Sequence, residues 1–386
     1  MLNVLWLCSW YPSRVSPDNG DFIERHAIAT APFVQLTLLF IEKDETLPNR
    51  AVGIQKTEEN GYTIYRASYG RSGGGGILEK LFSFRRYRRL QREVYAQIEQ
   101  ERGRPQVVHV HVALKAGLLA LWLKKKEYLP YIVTEHWTGY YPQSVPNIYH
   151  ANRFLRQAAK NILNGASLVL PVSVALGKTI ARYFADVPFR AVPNVVDTSV
   201  FYYKERPAAR FRFIHVSYMN YQKNPEGLLQ AAAILKNKGL DFEIAMIGND
   251  GRRLSDQVQQ LGLGTHIHFE AAIPYPAVAA RMQEADAFVL FSRFENLPCV
   301  ILEALCCGLP VVSTDTGGIA EVITEENGLL VQSEAVPQLA EAMETLLSQY
   351  QRYNRQEISA KAMAQFNYET IGKKHLSIYH SLGAKA

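Results

Sequence analysis

Short apolar runs alternate with amphipathic stretches along almost the whole chain, a pattern typical of strands that are followed by helices. Such alternation predicts an α/β fold with mainly parallel sheets. In the first half the pattern predicts strands at residues 2–7, 34–41, 62–66, 107–111, 131–135 and 168–172. It predicts helices at residues 21–31, 78–101, 117–126 and 152–165. Ser173 is expected to cap the helix that follows.

The alternation stops at residues 191–201, "AVPNVVDTSVF", which indicate a strand entering a Pro-Asn turn, and it then begins again. The second half predicts strands at residues 212–217, 243–247, 266–269, 287–291 and 310–313. It predicts helices at residues 225–236, 254–261, 276–284 and 298–306. The restart predicts two doubly wound, Rossmann-like domains at residues 1–193 and 194–365, with a C-terminal helix in residues 366–386 crossing back to the first domain. Because ligands of such sheets bind at the carboxyl ends of strands, we expect the domains to face each other across a cleft.

The two halves differ in charge. The whole chain has 42 Lys plus Arg against 36 Asp plus Glu, and residues 1–190 hold 25 of these cations against 15 of the anions. The excess is greatest in the segment from Leu78 to Arg92, "LEKLFSFRRYRRLQR", where apolar residues are interleaved with arginines. A solvated helix is one interpretation and a helix lying on an anionic membrane surface is another. No base-reading module accompanies the basic segment, so we expect no nucleic-acid partner.

Cysteine usage and hydropathy indicate a cytoplasmic protein. Cys8, Cys299, Cys306 and Cys307 form no C-x-x-C pair, which favours reduced, buried thiols over a disulfide or a zinc site. The apolar first residues lack a cationic leader and a cleavage site, so we interpret them as a buried strand. No apolar run reaches the roughly 18 residues of a spanning helix. Peripheral attachment to the inner face of the membrane would then depend on the basic segment.

The segment of residues 291–322, "FSRFENLPCVILEALCCGLPVVSTDTGGIAEV", contains the most informative candidate chemistry. Glu295 lies in a strand-to-helix loop and Glu303 lies eight residues later on the predicted helix, whose first turn accommodates Pro298. Free amides at the start of the helix suit an anion or sugar hydroxyls, and a carboxylate such as Glu303 can accept two hydrogen bonds from a ribose diol. The Gly317-Gly318 pair permits close backbone approach at the next strand end. The alternative is an ordinary strand–helix unit with solvated glutamates.

The whole pattern resembles the signature of the family-four retaining glycosyltransferases of the GT-B fold. That signature has two glutamates separated by seven residues, a Gly-x-Pro-Val-Val strand, and a Gly-Gly turn before a third glutamate. The matching residues are Glu295, Glu303, residues 308–312, Gly317-Gly318 and Glu321. Further matches lie at residues 171–173, 193–201, 246–251 and 268–278. The resemblance therefore extends over most of the chain and is stronger in the second half.

The resemblance implies a role for each matched residue of the second domain. Glu295 would contact the donor sugar, Glu303 the nucleotide ribose, and Lys223 the donor diphosphate. The further residues that it implies in donor binding are Asn296, Leu297, Pro298, Gly248 and Arg293.

The chain departs from the family pattern at one position. Relatives pair the lysine with an arginine shortly after the preceding strand, where this chain has Tyr218. Lys223 and helix amides would then neutralise the diphosphate, with Arg293 or Arg252 as possible substitutes for the missing cation.

In the first domain the resemblance is looser. Gly20 is the candidate for the glycine-rich loop of relatives, and His136 matches a histidine that contacts the donor sugar or its phosphate. A packed, hydrogen-bonded histidine is the alternative for His136. His109 and His111 alternate on one strand and so point to one face, where satisfied core histidines are favoured over a metal pair. His26 is assigned no role.

The resemblance implies a retaining hexosyltransferase that moves a sugar from a nucleotide diphosphate sugar to a glycan or lipid-linked acceptor, in cell-surface polysaccharide synthesis. The second domain would bind the donor and the first the acceptor. No Asp-x-Asp occurs in the chain, so we expect neither a metal nor another cofactor. The alternatives are a non-catalytic nucleotide-sugar-binding protein and a same-fold epimerase, and more remotely a nicotinamide-dependent oxidoreductase, which lacks its G-x-G-x-x-G here. The residues leave open the donor's base and sugar.

Overall fold

The structure is a computed structural model that describes residues 1–71, 76–183, 188–205, 207, 209–249 and 251–383. The chain divides into two compact units. Unit 1 comprises Met1–Pro142, Pro146–Val195 and Tyr368–Ala386, and unit 2 comprises Val196–Asn367 with Gln143–Val145. Each unit contains one sheet of mainly parallel strands with helices between them, so the predicted α/β fold class is confirmed.

The sheet of unit 1 has seven strands within the described residues. They are β1 (Asn3–Cys8), β2 (Gln35–Lys43), β3 (Val52–Glu59), β4 (Tyr62–Tyr69), β5 (Val107–His111), β6 (Tyr131–Glu135) and β7 (Leu168–Pro171). Their order is β3-β4-β2-β1-β5-β6-β7, and β3 alone among them pairs antiparallel. The sequence pattern did not predict β3. It is an edge strand that exposes most of its side chains, so it lacks the apolar run by which buried strands are recognised.

Among the residues that the structure describes, five α-helices follow strands of this sheet. They are α1 (Asp21–Thr30), α2 (Gly76–Arg102), α3 (Gly117–Glu127), α4 (Arg153–Gly165) and α5 (Val174–Tyr183). The predicted cap is confirmed, because the Ser173 hydroxyl accepts a hydrogen bond from the Leu176 amide at 3.1 Å. Within the described residues no helix combines the length and the apolar character that crossing a bilayer requires.

Residues 191–201 contain no strand, so the prediction of one there was wrong. Val192 and Val195 are buried, and the Val192 amide donates a hydrogen bond to the Pro171 carbonyl of β7 at 2.9 Å. Apolar burial alone therefore produced the strand-like pattern. Unit 1 passes into unit 2 within this segment, between Val195 and Val196.

The sheet of unit 2 has six strands, all parallel, within the described residues. They are β8 (Arg212–Val216), β9 (Glu243–Ile247), β10 (Ile267–Glu270), β11 (Ala287–Leu290), β12 (Val311–Thr314) and β13 (Gly328–Val331), in the order β10-β9-β8-β11-β12-β13. β11 and β12 are buried along their whole length, as parallel central strands require. β13, a four-residue strand that begins with a glycine, was not predicted.

The helices of unit 2 are α6 (Pro225–Asn237), α7 (Ser255–Gln260), α8 (Tyr275–Gln283), α9 (Cys299–Cys306), α10 (Val336–Ser348) and α11 (Arg355–Phe366). The prediction that Pro298 lies in the first turn of the helix was wrong. Pro298 is instead the cap residue before α9, with a ψ of 130°. α10 and α11 were not predicted, although Leu339, Met343 and Leu346 of α10 repeat at helical spacing and are buried.

The last helix, α12 (Tyr368–Ser381), belongs to unit 1. It packs against α1 with Ile371 and Ile378 buried. Gly372 allows the two helices to approach closely, because a β-carbon there would overlap the carbonyl oxygen of Ala29.

Candidate functional site

Four loops of unit 2 meet at the carboxyl edge of its sheet. They follow β9, β8, β11 and β12, which are neighbours in the sheet order, so their ends lie side by side. The loop after β11 is hydrogen-bonded to the loops after β8 and β12. The Arg293 amide donates to the Gln222 carbonyl at 2.7 Å, and the Gly318 amide donates to the Asn296 carbonyl at 2.6 Å.

Two glycines permit this close approach. Gly317 has a φ of 59°, and a β-carbon there would overlap the carbonyl oxygen of Glu295. Gly248, directly after β9, has a φ of 141°, and a β-carbon there would overlap the carbonyl oxygen of Ser217. Larger residues are therefore excluded at both positions by the backbone of the adjacent loop.

Lys223 and Glu295 form an ion pair at this edge. Their side chains are 14% and 4% exposed. The Ser292 hydroxyl donates to the same carboxylate oxygen, Oε1, at 2.8 Å, and Gln222 Nε2 donates to Oε2 at 3.2 Å. The sequence identified the charged partners but missed Ser292 and Gln222. Both stand within three residues of a predicted site residue in a strand-end loop, which was the signal available.

The loop that carries Lys223 is fixed from beneath by a neutral histidine. Burial lowers the pKa of His215 to about 4. Its Nδ1 lies 3.0 Å from the Val289 carbonyl, which can only accept, so Nδ1 bears the proton and Nε2 accepts from the Ser217 hydroxyl at 2.7 Å. The Ser217 oxygen in turn accepts from the Met219 amide at 2.9 Å.

The two arginines that were considered as substitutes for a cation at Tyr218 lie in different surroundings. Arg293 stacks on the Tyr221 ring at 4.3 Å, donates to the Tyr221 carbonyl and pairs with Glu334 at 2.9 Å. Arg252 is exposed in the turn before α7. The Tyr218 side chain is 55% exposed. The role of Arg293 in donor binding stays a prediction.

The remaining donor residues lie on and before α9. Asn296 and Leu297 are buried in the loop, and Pro298 ends it. Glu303 is buried on α9. Burial raises the pKa of the Cys307 thiol, and the Glu303 carboxylate, four residues earlier, raises it further.

In unit 1, Gly20 stands two residues before Phe22, whose ring contacts that of His136. Gly20 precedes α1 with a φ of 80°, and a β-carbon there would lie 2.9 Å from the Trp10 backbone. His136 follows β6, with its ring 4.6 Å from that of Phe22. Burial lowers the pKa of His136 to about 3, although a hydrogen bond with Asn194 raises it in part, so the ring is neutral at pH 7.

His136 belongs to a buried group of five histidines, which we call the histidine cluster. Its members are His26, His109, His111, His136 and His375. His109 and His111 lie on one face, as predicted, with their rings 4.2 Å apart. The expectation that both are satisfied holds for His109 but is wrong for His111, whose ring nitrogens contact no hydrogen-bonding partner among the described residues. His26, which was assigned no role, lies inside the cluster.

Two properties of the described residues bear on ligands. No group of three histidine, cysteine, aspartate or glutamate side chains is arranged to hold a metal ion within that part of the chain. All four cysteines are free thiols, three of them buried and Cys299 partly exposed.

Comparison with known proteins agrees with this geometry. The chain matches the family described as "Glycosyltransferase Family 4" over residues 55–200 and that described as "Glycosyl transferases group 1" over residues 204–363. The teichuronic acid biosynthesis glycosyltransferase TuaC of Bacillus subtilis (strain 168) is 25% identical, with 98% of this chain and 97% of that protein aligned. A D-inositol 3-phosphate glycosyltransferase of Paenarthrobacter aurescens (strain TC1) is 26% identical over 66% of this chain and 67% of its own.

Solved structures share the fold. Sucrose-phosphate synthase from Thermosynechococcus elongatus superposes over 100% of both chains with a TM-score of 0.78 at 20% identity. HepE of Anabaena, in complex with UDP and glucose, superposes over 100% of both chains with a TM-score of 0.71 at 18% identity. The strand-end site, the two matched regions and the shared fold agree: the chain is a glycosyltransferase that belongs to the family-four type with the GT-B fold.

Proposed function

We propose that the protein is a retaining glycosyltransferase that moves a sugar from a nucleotide diphosphate sugar to a glycan or lipid-linked acceptor, in the synthesis of a cell-surface polysaccharide. The observation that carries the proposal is the Lys223–Glu295 pair at the carboxyl edge of the unit 2 sheet. Two named relatives add support: TuaC is named for teichuronic acid biosynthesis, and HepE structures contain UDP or UDP-glucose.

In this proposal Lys223 moves from Glu295 to the donor diphosphate. The bond between the anomeric carbon and the diphosphate oxygen breaks while the acceptor hydroxyl attacks from the same face, and the departing diphosphate takes the hydroxyl proton. Once it contacts the diphosphate, the Lys223 ammonium stabilises the charge that develops on the leaving group. We therefore propose that transfer needs no metal.

Glu295 then positions the donor sugar instead of forming a bond to it. Its carboxylate keeps the Ser292 and Gln222 hydrogen bonds when Lys223 turns to the diphosphate, so it remains oriented. The Glu303 carboxylate accepts hydrogen bonds from the two ribose hydroxyls. In unit 1, the neutral His136 is suited to hydrogen-bond a sugar or phosphate oxygen, and Gly20 allows the start of α1 to lie against the Trp10 backbone in the loop after β1.

The proposal is tested by a thermal-shift screen of nucleotide sugars, followed by acceptor trials with the donor that stabilises the protein most. Proton NMR of the product then compares the anomeric configuration with that of the donor. Retained configuration is expected. Inverted product would overturn the mechanism. Binding without transfer to any acceptor would favour the non-catalytic alternative, and a changed sugar on the nucleotide would favour an epimerase.

We also propose that α2 attaches the enzyme to an anionic membrane surface. Tyr87 and Val94 form part of its buried face. On the opposite face, apolar residues in the first turns are followed by cations along the same line, and all are exposed. These residues are Leu78, Leu81, Phe82, Arg85, Arg89 and Arg92. Apolar anchors beside arginines suit the headgroup region, where each cation contributes about 1 kcal/mol.

Co-sedimentation with vesicles of three parts phosphatidylcholine to one part phosphatidylserine tests this attachment. We expect binding at low salt that weakens at 1 M salt and is lost in the Arg85→Gln/Arg89→Gln variant. The matched control is Lys125→Gln/Lys126→Gln, which removes the same charge from the exposed end of α3. Equal losses in both variants would mean that net charge, and not this helix face, causes the binding.

A further inference from the structure

The histidine cluster brings together side chains from widely separated parts of unit 1. His26 comes from α1, His109 and His111 from β5, His136 from the loop after β6, and His375 from α12. The His26 and His375 rings are stacked at 5.4 Å, and the His111 ring lies 4.0 Å from that of Trp6. All five side chains are at least nine-tenths buried. A core with this many titratable rings is folded around their neutral forms.

α12 contributes the hydrogen bonds that close the cluster. The Thr30 hydroxyl donates to the His26 carbonyl at 2.8 Å, so it must accept from His375 Nδ1, also at 2.8 Å. His375 is thus the Nδ1–H tautomer, and its Nε2 contacts no hydrogen-bonding partner among the described residues. Tyr379, one turn later, lies 2.8 Å from His109 Nδ1 and accepts from Trp6 Nε1 at 3.0 Å.

The surroundings provide no anion for a charged imidazole. Besides the five histidines, the titratable and charged groups on β1, α1, β6 and α12 are Cys8, Asp21, Glu24, Arg25, Tyr131, Glu135, Tyr368, Glu369, Lys373, Lys374, Tyr379 and His380. Asp21 is paired with Arg25, and Glu369 with Lys373. Burial raises the pKa of Cys8 and Tyr379, which keeps both neutral. Arg25 acts on His26, and Lys374 on His375, as cations that disfavour a further proton. Burial raises the pKa of Glu24, whose charged neighbours are Glu59, Arg66, Asp21 and Arg25.

Glu135 does not compensate either. Its carboxylate is already bonded to the amides of Ala113, His136 and Trp137 and to the Tyr140 hydroxyl. Burial raises the pKa of Glu135, so the group is itself biased towards its neutral form. A proton can therefore enter the cluster only if the packing around a histidine opens to water.

We propose that α12 is a proton-sensitive latch, which holds its place on α1 and β5 at neutral pH and is released in mild acid as His26 and His375 take up protons. α12 contributes no strand to the sheet of unit 1, so it can leave without breaking one. Its release removes His375 and Tyr379 from the cluster and admits water to His26. The latch does not depend on the sugar, the acceptor or the activity proposed above.

The sign and size of the effect follow from proton linkage. Both rings are neutral when α12 is packed and have a pKa near 6.5 when exposed, so the opened state binds more protons in acid. The packed state is therefore fully favoured above that pKa and loses stability as the pH falls below it. Between pH 7.5 and 5.5 the opening equilibrium constant rises about tenfold for each histidine, and about a hundredfold for both.

Hydrogen exchange of the full chain, read by mass spectrometry and corrected for the intrinsic exchange rate, measures this opening. The protection factors of α12 amides should fall about a hundredfold from pH 7.5 to 5.5, whereas those of β5 and β6 remain higher throughout. His375→Leu and His26→Leu should each reduce the change to about tenfold. His380→Leu, on the exposed face of the same helix, should leave the hundredfold change intact.

The ratio of the protection factors at pH 7.5 and 5.5 is informative even where a variant is less stable. A merely structural role would lower the protection factors at both pH values alike and leave their ratio unchanged. If His375→Leu does not fold, histidine NMR of the wild type replaces it, and the His375 and His26 signals should titrate in step with the exchange of α12. Unchanged α12 protection, a hundredfold change kept in both variants, or loss of β5 protection together with α12 would each overturn the latch.

Discussion

At the carboxyl edge of the unit 2 sheet, Lys223 and Glu295 are held as a charged pair, whereas the polar groups near the ends of β5 and β6 in unit 1 are neutral imidazoles. The charged pair keeps some contact with solvent and is bonded by Ser292 and Gln222. The imidazoles are enclosed, and those of His26 and His111 contact no hydrogen-bonding group among the described residues.

The difference shows two ways in which the same architecture retains polar groups. A buried charge persists only with a partner and further hydrogen bonds, which unit 2 supplies from loops of adjacent strands. A buried imidazole can instead lose its proton, which removes the cost of burying charge but ties the fold to pH. We therefore expect ligand binding by unit 2 to depend on both members of the Lys223–Glu295 pair. We expect the stability of unit 1 to fall in acid.

Acid is the change expected to separate the units most. In unit 1, burial lowers the pKa of the five histidines of the histidine cluster. In unit 2, His215 is the buried histidine whose pKa is lowered in this way, among the described residues. Each can lose about 1.4 kcal/mol of folding free energy between pH 7.5 and 5.5, so unit 1 should lose up to about 7 kcal/mol. All four tryptophans lie in unit 1, so tryptophan fluorescence follows its denaturation while circular dichroism follows both units.

We expect the fluorescence midpoint in urea to fall steeply with pH and a second, less sensitive transition to remain in the dichroism signal. Midpoints that shift equally for both probes would contradict the comparison, since the two units would then share one response to acid.

Removing the cation of the charged pair should have the next largest effect. In Lys223→Ala the donor diphosphate loses its fixed ammonium, and kcat/KM for transfer should fall by about 10²-fold or more. Lys238→Ala is the matched control, because Lys238 forms an exposed pair with Glu344 in the same unit. Steady-state kinetics with the donor found in the screen provides the measurement. Equal activity of the two variants would show that the leaving group is stabilised by other groups.

A smaller effect is expected from Glu303→Ala, which removes the proposed ribose acceptor. Hydrogen bonds to a charged group contribute about 1.5–3 kcal/mol, so nucleotide affinity should fall roughly tenfold or more. Isothermal calorimetry with the free nucleotide checks this, with Glu341→Ala on the exposed face of α10 as the control. Unchanged affinity, with the fold intact by circular dichroism, would remove Glu303 from the donor site.

Chelation should have no effect. If Lys223 and the amides of the strand-end loops stabilise the leaving diphosphate, the rate of transfer should be the same in excess EDTA as without it. A rate that falls with EDTA and returns with Mg²⁺ or Mn²⁺ would show that a metal shares this task, and Lys223→Ala should then be less damaging than predicted.

Features set by local sequence were predictable. Most strands and helices of both units were identified within a few residues, because buried parallel strands are continuous apolar runs and helices repeat their apolar positions. The spacing of Glu295 and Glu303 was visible for the same reason, since one loop and one helix carry both. β3 and the absence of a strand at residues 191–201 were not predictable, because edge position and sheet pairing are not local properties.

The sequence by itself determined the fold class, the family and the residues that carry the candidate chemistry. Only the tertiary structure decided which of them meet. Lys223 and Glu295 stand 72 positions apart and are joined because β8 and β11 are neighbours in the sheet, an order that chain position does not reveal. Thr30 and His375 are 345 positions apart, and they meet because the last helix returns to the first unit. The histidine cluster is a product of that return, because burial and packing, not spacing, bring its five rings together.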